Sequence, residues 1–263
     1  MEAAVKVLIH DDADKAADCV AGLIAARLAR VPASVLGLAT GGTMEAVYSR
    51  LIAAHRAGTV SFAQARSFNL DEYVGLAPDH PCSYWRYMDE QLFDHVDMPK
   101  AAYALPRGDA PDPEAEAARY EAAIVAAGDI GLQLLGLGAN GHIGFNEPTS
   151  SLSSLTRIKT LTRATRTANA RFFTRPDDVP RLAITMGIGT ILRAEEVVLL
   201  AYGPGKAEAA AAMIEGPLSA SCPASALQLH RKVTVVLDQA AAAGLSLRDY
   251  YEDVHPAGRD AVI

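Results

Sequence analysis

A glycine-rich stretch at residues 136–148, GLGANGHIGFNEP, contains the side chains best suited to proton transfer. The unperturbed pKa of histidine lies nearest to neutral pH, which makes His142 a candidate general acid/base. A carboxylate within reach, such as Glu147, would hold the imidazole in one tautomer and favour its protonated form. The alternative is a glycine-rich turn in which His142 only caps a backbone carbonyl. The residue types therefore indicate acid/base chemistry or a turn, and the surrounding elements decide between them.

The position of this stretch favours the chemical interpretation. It follows the mostly apolar run of residues 130–135, which has the length and character of a strand buried on both faces. The glycines begin where that strand should end, and in open α/β sheets ligands bind at the carboxyl ends of the strands. Gly136, Gly138 and Gly141 would let the backbone turn sharply and approach a small molecule closely.

A second candidate site is the turn formed by Gly41, Gly42 and Thr43, which leads from a predicted strand at residues 34–38 into a helix. Such a turn presents free backbone N–H groups, a hydroxyl and the positive end of the helix dipole, all of which suit a phosphate group. No GK[ST] closes the turn, so it is not a Walker A loop. The same reasoning applies to Lys206, at the start of an alanine-rich helix. The alternative in each case is a simple connection between elements.

Two adjacent acids, Asp71 and Glu72, end a predicted third strand within residues 65–76. Successive side chains of a strand face opposite sides, so at most one of the two should enter a site while the other pairs or faces solvent. We expect Asp71 to be the site residue. A helix cap or turn position is the alternative for this aspartate.

A basic segment follows the central stretch: residues 149–176 contain no acidic residue, although the chain as a whole is negatively charged. This composition indicates a local anion site, with a solvated basic face neutralised by acids elsewhere as the alternative. Its six cationic residues are Arg157, Lys159, Arg163, Arg166, Arg171 and Arg175.

Strand and helix patterns alternate along the chain, which predicts an α/β fold with a mostly parallel, Rossmann-like sheet covered by helices on both faces. We expect one domain over residues 1–263. The helical spacing of Trp85 and its neighbours predicts core packing rather than a cofactor site. Besides those already named, strands are predicted at residues 5–9, 181–186, 196–201 and 232–237, and helices after Asp12 and at residues 82–95 and 114–127.

Charge and composition exclude several classes of protein. With a net charge of -7, the 263-residue chain lacks the broad basic face that binding to nucleic acid requires. No apolar run reaches the ~18 residues that span a bilayer, and the first residues do not resemble a standard export signal. The three cysteines, Cys19, Cys82 and Cys222, are odd in number and widely spaced, which predicts neither a disulfide framework nor a cysteine metal site. These features favour a cytoplasmic protein without membrane or nucleic-acid partners.

Seven motifs occur in order along most of the chain: LATGGT (residues 38–43), FNLDEYVGL (68–76), GLGANGHIGFNEP (136–148), SLTRIKTLT (154–162), ANARFF (168–173), GKAEA (205–209) and ASALQLH (224–230). Together they resemble the glucosamine-6-phosphate deaminases of the glucosamine/galactosamine-6-phosphate isomerase family. GHIGFNEP is the specific motif, because the corresponding loop of the related 6-phosphogluconolactonases looks like GHxxSLFP.

The resemblance implies conversion of glucosamine 6-phosphate and water to fructose 6-phosphate and ammonia, without a metal or organic cofactor. It assigns ring opening to His142, supported by Glu147, and assigns to Asp71 the transfer of a proton from C2 to C1. It assigns phosphate binding to the turn at residues 41–43, with Arg171 and Lys206 as charged partners.

One position departs from the commoner family pattern. Many members carry aspartate two residues before the histidine, whereas this chain has Asn140. An asparagine can orient the imidazole by hydrogen bonding but adds no charge, so stabilisation of the imidazolium would fall more heavily on Glu147.

Several alternatives stay open at this stage. The substrate could be another hexosamine 6-phosphate, such as galactosamine 6-phosphate, or the chain could be a lactonase-like hydrolase or a sugar-phosphate sensor without turnover. Asp71, His142 and Glu147 together favour an enzyme, because binding alone needs no proton transfer. Ser150, Arg157 and Lys159 match positions at which allosteric relatives bind N-acetylglucosamine 6-phosphate between subunits, so a regulated homo-oligomer is one alternative and an unregulated monomer the other.

Overall fold

The computed structural model describes residues 5–173, 175 and 178–259. The strands of this part of the chain are β1 (Val5–His10), β2 (Val35–Leu38), β3 (Arg66–Asn69), β4 (Asp71–Tyr73), β5 (Tyr103–Ala104), β6 (Leu132–Gly136), β7 (Arg157–Thr160), β8 (Leu182–Thr185), β9 (Glu196–Ala201) and β10 (Val233–Asp238). The helices are α1 (Ala13–Arg30), α2 (Gly42–Arg56), α3 (Tyr84–Gln91), α4 (Pro113–Ala126), α5 (Arg163–Asn169), α6 (Ile188–Leu192), α7 (Ala207–Ile214) and α8 (Arg248–Val254).

A seven-stranded sheet in the order β1-β10-β9-β6-β2-β3-β5 forms the centre of a single α/β domain. All of its strand pairs are parallel, which confirms the predicted fold class. The central strand β6 is buried on both faces, as its apolar sequence predicts. From β2 the chain winds outward to β3 and β5, whereas from β6 it winds the other way, so the two strands flank a topological switch point.

Local hydrogen bonds at the first turns explain where several helices begin. The Asp12 side chain accepts a hydrogen bond from the Lys15 backbone N–H at 2.8 Å, which confirms the predicted cap of α1. Asp112 caps α4 in the same way, and Pro113 at the first helical position needs no N–H partner there. Ser83 caps α3 and so fixes the helix that packs beside the Gly41 turn.

A second sheet, β4-β8-β7, was not predicted and corrects the expectation of one continuous strand over residues 65–76. The chain leaves the main sheet at Leu70, whose N–H still donates to Leu38 while its carbonyl accepts from Met186 at 2.7 Å. From Asp71 onward it pairs antiparallel with β8, so residues 181–186 also belong to this sheet and not to the parallel one. Residues 67–73 are all buried, and the alternation of polar and apolar side chains over residues 67–71 continues across Leu70, so the local pattern cannot reveal the break.

Trp85 packs as predicted. It is partly buried against Tyr103, and its indole N–H donates to the Pro106 carbonyl at 3.0 Å. Over the part of the chain that the structure describes, none of the helices has both the length and the apolar character required to cross a bilayer.

Candidate functional site

A cavity of about 660 Å³ opens at the carboxyl edge of the main sheet. Three neighbouring strands, β9, β6 and β2, end there, and each continues into a loop that lines it. The cavity brings together eight of the nine residues predicted for catalysis and phosphate binding, and Glu147 lies behind its wall. The eight residues are Gly41, Gly42, Thr43, Asp71, Asn140, His142, Arg171 and Lys206.

The loop after β6 brings the His142 ring close to its own backbone. A Cβ atom on residue 138 would lie 2.3 Å from two atoms of the His142 ring, so only glycine leaves room for the imidazole. The Gly138 N–H also donates to the His142 carbonyl at 2.9 Å, which closes the loop. The glycine spacing seen in the sequence is therefore a packing requirement of the histidine.

A chain of hydrogen bonds connects His142, Asn140 and Glu147. The Asn140 amide Nδ2 donates to Glu147 Oε2 at 2.8 Å, because an ionised carboxylate can only accept. This orientation turns Asn140 Oδ1 toward His142 Nδ1, at 2.6 Å, so Nδ1 carries the proton. The lone pair of a neutral ring then lies on Nε2, which has no hydrogen-bond partner among the residues described. Such an imidazole is ready to accept a proton from a ligand in the cavity.

The expected direct pairing of His142 with Glu147 is therefore replaced by a relay. Their closest atoms, Nδ1 and Oε2, are 3.7 Å apart, and Asn140 fills the hydrogen-bonding role between them. Burial lowers the pKa of His142 and Lys206 lowers it further, while the charge of Glu147 opposes both effects. Glu147 favours the protonated form, as expected, but burial outweighs it, so the pKa of His142 is lowered and the imidazole is held mainly neutral.

Glu147 itself is buried and held from the far side by α5. Its Oε1 accepts hydrogen bonds from the hydroxyls of Thr162, at 3.1 Å, and Thr165. Burial raises the pKa of Glu147, but the hydrogen bonds from Thr165 and Asn140, together with His142, outweigh it and hold the pKa below its ordinary value. The carboxylate is therefore charged and fixed in place.

Asp71 approaches the cavity from the second sheet. It lies at the start of β4, opposite Thr185, and its side chain is buried. A Cβ on residue 144 would lie 3.1 Å from the Thr185 hydroxyl and 3.4 Å from Asp71 Oδ2, so glycine at that position lets the β6 loop approach the carboxylate. Burial, with a smaller contribution from Glu72, raises the pKa of Asp71 to about 8. A carboxyl group titrating near neutral pH is well matched to general-base work.

Glu72 points away from the cavity, which confirms that only one of the two adjacent acids enters the site. It is fully buried, and its carboxylate accepts from the Ser83 hydroxyl at 2.7 Å and from the Trp85 N–H at 3.2 Å. Glu72 thereby binds the amino end of α3 rather than a ligand.

The turn at residues 41–43 has the geometry of an anion site. Gly41, with φ 104° and ψ 160°, adopts a backbone conformation that is essentially restricted to glycine, and α2 begins at Gly42. Lys206 is partly buried and forms no ion pair within the described residues. Burial lowers its pKa, and the nearby Arg171 charge lowers it further. The proximity of two cationic groups, of which Lys206 is partly buried, favours an anionic ligand.

Comparison with known proteins identifies the family. The sequence pattern of the family described as glucosamine-6-phosphate isomerases/6-phosphogluconolactonase matches residues 10–236. The chain belongs to this family. One relative, the glucosamine-6-phosphate deaminase of Cellvibrio japonicus (strain Ueda107), is 55% identical over 250 residues, which cover 95% of each chain.

Solved structures within the glucosamine-6-phosphate isomerase/6-phosphogluconolactonase family show the same fold. That of a monomeric glucosamine-6-phosphate deaminase matches with a TM-score of 0.90 and 45% identity, covering 91% of this chain and 100% of that one. The 6-phosphogluconolactonase from Trypanosoma cruzi matches with a TM-score of 0.76 but only 18% identity, covering 94% and 98%, which shows a shared fold alone.

Sequence reasoning missed an aromatic wall in this family member. The Tyr73 hydroxyl accepts from Asn169 Nδ2 at 2.9 Å and from the Tyr84 hydroxyl at 3.2 Å, and its ring packs on Phe145 and Phe173. All five residues line the cavity. Four of them lie within motifs that carried the resemblance, but an apolar pattern alone cannot distinguish a cavity wall from the core.

Of the six cationic residues in the basic segment, only Arg171 is among the described residues that line the cavity. Arg175 pairs with Asp178 at 2.7 Å instead. Ser150, Arg157 and Lys159 also lie outside the cavity. Within the described part of this family member, the buried Ser150 hydroxyl and the buried Nη2 of Arg157 have no hydrogen-bond partner, and burial lowers the pKa of Arg157. Such unsatisfied donors are compatible with an anion that binds elsewhere than the main cavity.

Proposed function

We propose that this protein is a glucosamine-6-phosphate deaminase, which converts glucosamine 6-phosphate and water to fructose 6-phosphate and ammonia. The observation that carries the proposal is that one cavity joins a buried carboxyl group, a neutral imidazole with a free Nε2 and a cationic helix terminus. The relatives at 55% and 45% identity, both deaminases by name, support the same reaction.

The phosphate would bind at the start of α2. The N–H groups of Gly42 and Thr43 are among the first of the helix and have no partner within it, while Lys206 and Arg171 supply positive charge. Charge-assisted hydrogen bonds to a phosphate are strong and fix the far end of the sugar, so C1 and C2 are brought to a defined place.

His142 would open the ring. Its Nε2 takes the proton of the anomeric hydroxyl, and the same proton is delivered to the ring oxygen as the C1–O5 bond breaks. The imidazolium that forms transiently keeps its Nδ1–H on Asn140, and the charge of Glu147 behind that amide stabilises it. Asn140 stands where many relatives carry an aspartate, and the relay supplies the negative charge from Glu147, one hydrogen bond further from the ring.

Asp71 would then move a proton along the carbon chain. It takes the proton from C2 of the open aldehyde and returns it to C1, while O1 gains a proton and the amine nitrogen loses one, which converts the 2-amino aldose into the 2-imine with a C1 hydroxyl. Water adds to that imine, ammonia leaves, and the ketone of fructose 6-phosphate remains. Because the pKa of Asp71 is raised to about 8, the fraction able to act as a base increases as the pH approaches that value.

An assay of ammonia release tests reaction and substrate together. Glucosamine 6-phosphate should release ammonia, and free glucosamine should be a very poor substrate because it lacks the anchored phosphate. Galactosamine 6-phosphate and 6-phosphogluconolactone are the matched comparisons. Turnover of the lactone instead, or binding of hexosamine phosphates without turnover, would refute the proposal in favour of a hydrolase or a sensor.

We further propose that Ser150, Arg157 and Lys159 form a regulatory site for a second sugar phosphate, N-acetylglucosamine 6-phosphate. The unsatisfied buried donors of Ser150 and Arg157 support it. We place the enzyme in the cytoplasm, since none of Cys19, Cys82 and Cys222 forms a disulfide within the described residues. We take residues 1–263 as its single domain.

A further inference from the structure

Three tyrosine hydroxyls donate to the backbone of the turn that leads into α2. Tyr48 donates to the Ala39 carbonyl, Tyr87 to the Gly41 carbonyl at 3.0 Å, and Tyr202 to the Gly42 carbonyl at 3.4 Å. These tyrosines come from α2, from α3 and from the loop after β9, so separate elements converge on one short segment. The function proposed above does not assign a role to any of them.

The peptide group links each of these carbonyls to the N–H of the next residue. In a planar trans peptide the C=O of one residue and the N–H of the following residue point in opposite directions. A hydroxyl that holds the Gly41 carbonyl therefore orients the Gly42 N–H, and one that holds the Gly42 carbonyl orients the Thr43 N–H. These two N–H groups have no acceptor within α2.

The turn needs such support because its backbone is permissive. Gly41 has a positive φ and no side chain, so its own conformational preference restrains its peptide only weakly. The first helical hydrogen bond runs from the Met44 N–H to the Gly41 carbonyl at 2.8 Å and uses only one of the two lone pairs of that oxygen. Tyr87 supplies the second donor to the same oxygen.

Tyr87 is suited to this task by its own surroundings. It lies on α3, whose amino end is held by Ser83 and Glu72, so the hydroxyl is carried by a fixed element. Burial raises the pKa of Tyr87, and Glu45 adds to the shift, which keeps the phenol neutral and able to donate. A neutral donor does not repel or compete with an anion.

We infer that Tyr87 is a positioning residue for the phosphate-binding turn, with Tyr202 in a weaker, parallel role. It orients the Gly42 N–H toward the phosphate by holding the carbonyl of the same peptide. The inference rests on the proposed function, since it concerns the phosphate of that substrate. It assigns to Tyr87 an effect on anion affinity without any part in proton transfer.

Tyr87→Phe removes only the hydroxyl and tests this role with inorganic phosphate as the probe. The inhibition constant of phosphate and the KM of glucosamine 6-phosphate should rise by the same factor, about fivefold for the loss of one neutral hydrogen bond. The kcat should stay within about twofold and the pH profile should not move. Tyr103→Phe is the matched control, since it loses a hydroxyl bond of 3.0 Å to Asp89 outside the cavity and should change none of these quantities.

Two further measurements separate the alternatives. The amide resonance of Gly42 should shift in ligand-free Tyr87→Phe, because the Gly41–Gly42 peptide has lost a hydrogen-bond donor. In the double variant Tyr87→Phe/Tyr202→Phe, the inhibition constant of phosphate should rise by the product of the two single-variant factors. An unchanged phosphate constant, a loss in kcat instead of KM, or an unmoved Gly42 resonance would overturn the positioning role. Wild-type protein that neither binds phosphate nor releases ammonia would overturn the proposed function and this inference with it.

Discussion

Asp71 is the residue whose replacement should separate substrate binding from proton transfer at carbon. Asp71→Asn keeps the shape of the side chain but removes the base, so we expect C2 proton exchange to fall roughly 100- to 10,000-fold. Binding of the sugar phosphate should persist, since the anion site lies on other loops. NMR of substrate and product in deuterated buffer measures the exchange. Wild-type exchange in this variant would show that a group other than Asp71 is the carbon base.

Asp71 also makes the free energy of unfolding depend on pH. A salt-bridged carboxylate stabilises the fold as the pH rises, whereas Asp71 destabilises it. Its pKa is about 8 in the folded protein against an ordinary 3.8, so between these values the folded state binds more protons than the unfolded chain. The free energy of unfolding therefore falls as the pH rises from about 4 to about 8. Asp71→Asn should be more stable than wild type at pH 8 and gain nothing at pH 4, as thermal unfolding would show.

A control variant makes that measurement specific. The hydrogen bond from Arg107 lowers the pKa of Asp109, so Asp109→Asn should give no gain in stability at pH 8. Equal shifts in Tm for Asp71→Asn at both pH values would contradict the buried, proton-binding state of Asp71.

The sequence predicted the identities of the site residues better than the way they interact. His142, Glu147, Asp71 and Lys206 stand out by residue type and by their place after strands, and the structure brings three of them into one cavity with Glu147 behind it. The hydrogen bond between Asn140 and the imidazole was predicted, but the second bond, from Asn140 to Glu147 at 2.8 Å, was not, because it depends on the path of the backbone through the turn. Burial of His142, which reverses the expected direction of its pKa shift, likewise depends on distant parts of the chain.

At the level of elements, the amino end of α2 depends on a single glycine conformation. Gly41→Ala should destabilise the fold by about 1–3 kcal/mol, because φ 104° with ψ 160° is essentially closed to other residues. Gly42→Ala is the matched control: it lies in the helix, and its nearest neighbour would be 3.9 Å away, so its stability should change little. Chemical denaturation measures both. Equal destabilisation by the two substitutions would show that the turn is not strained at Gly41.

The first turn of α5 should influence the acid/base pair through Glu147. Thr165→Val removes a hydroxyl that donates to the carboxylate and thereby raises the pKa of Glu147. We expect kcat to fall roughly threefold to tenfold and the acidic side of its pH profile to move to higher pH, because the carboxylate loses its charge earlier. Thr165→Ser keeps the hydroxyl and should restore both. A loss shared by both variants would indicate packing rather than charge.

Elements with strong patterns were predicted, and those defined by long-range pairing were not. The buried run of β6 and the capped start of α1 carry their own signals, since apolar length and an aspartate cap are local. β7 has no buried residue, and β4 has three residues that continue a buried run, so neither shows an alternation that would predict its antiparallel partner. The smaller sheet depends on β8, which lies between β4 and β7 and pairs with both.

At the level of the whole molecule, the regulatory proposal is tested by kinetics and sedimentation together. If Ser150, Arg157 and Lys159 bind a second sugar phosphate between subunits, N-acetylglucosamine 6-phosphate should lower the apparent KM of an assembled enzyme by about 5- to 150-fold. Arg157→Ala should abolish that activation and leave the basal kcat unchanged, since Arg157 lies outside the cavity. Hyperbolic kinetics that the ligand does not alter, in a chain that sediments as a monomer like its solved relative, would refute regulation.

The division of the cavity between two sheets affects how long the protein resists proteases. The β2 and β6 loops belong to the main sheet, whereas Asp71 starts β4 of the smaller sheet and Arg171 follows α5 next to it. A sugar phosphate that contacts residues of both sheets would stabilise the smaller sheet against local unfolding, because such unfolding would break those contacts. At a hundredfold excess over Kd such a ligand adds about 2.7 kcal/mol to the cost of opening, which reduces cleavage there roughly a hundredfold. The enzyme would then survive longest in cells that keep it supplied with substrate.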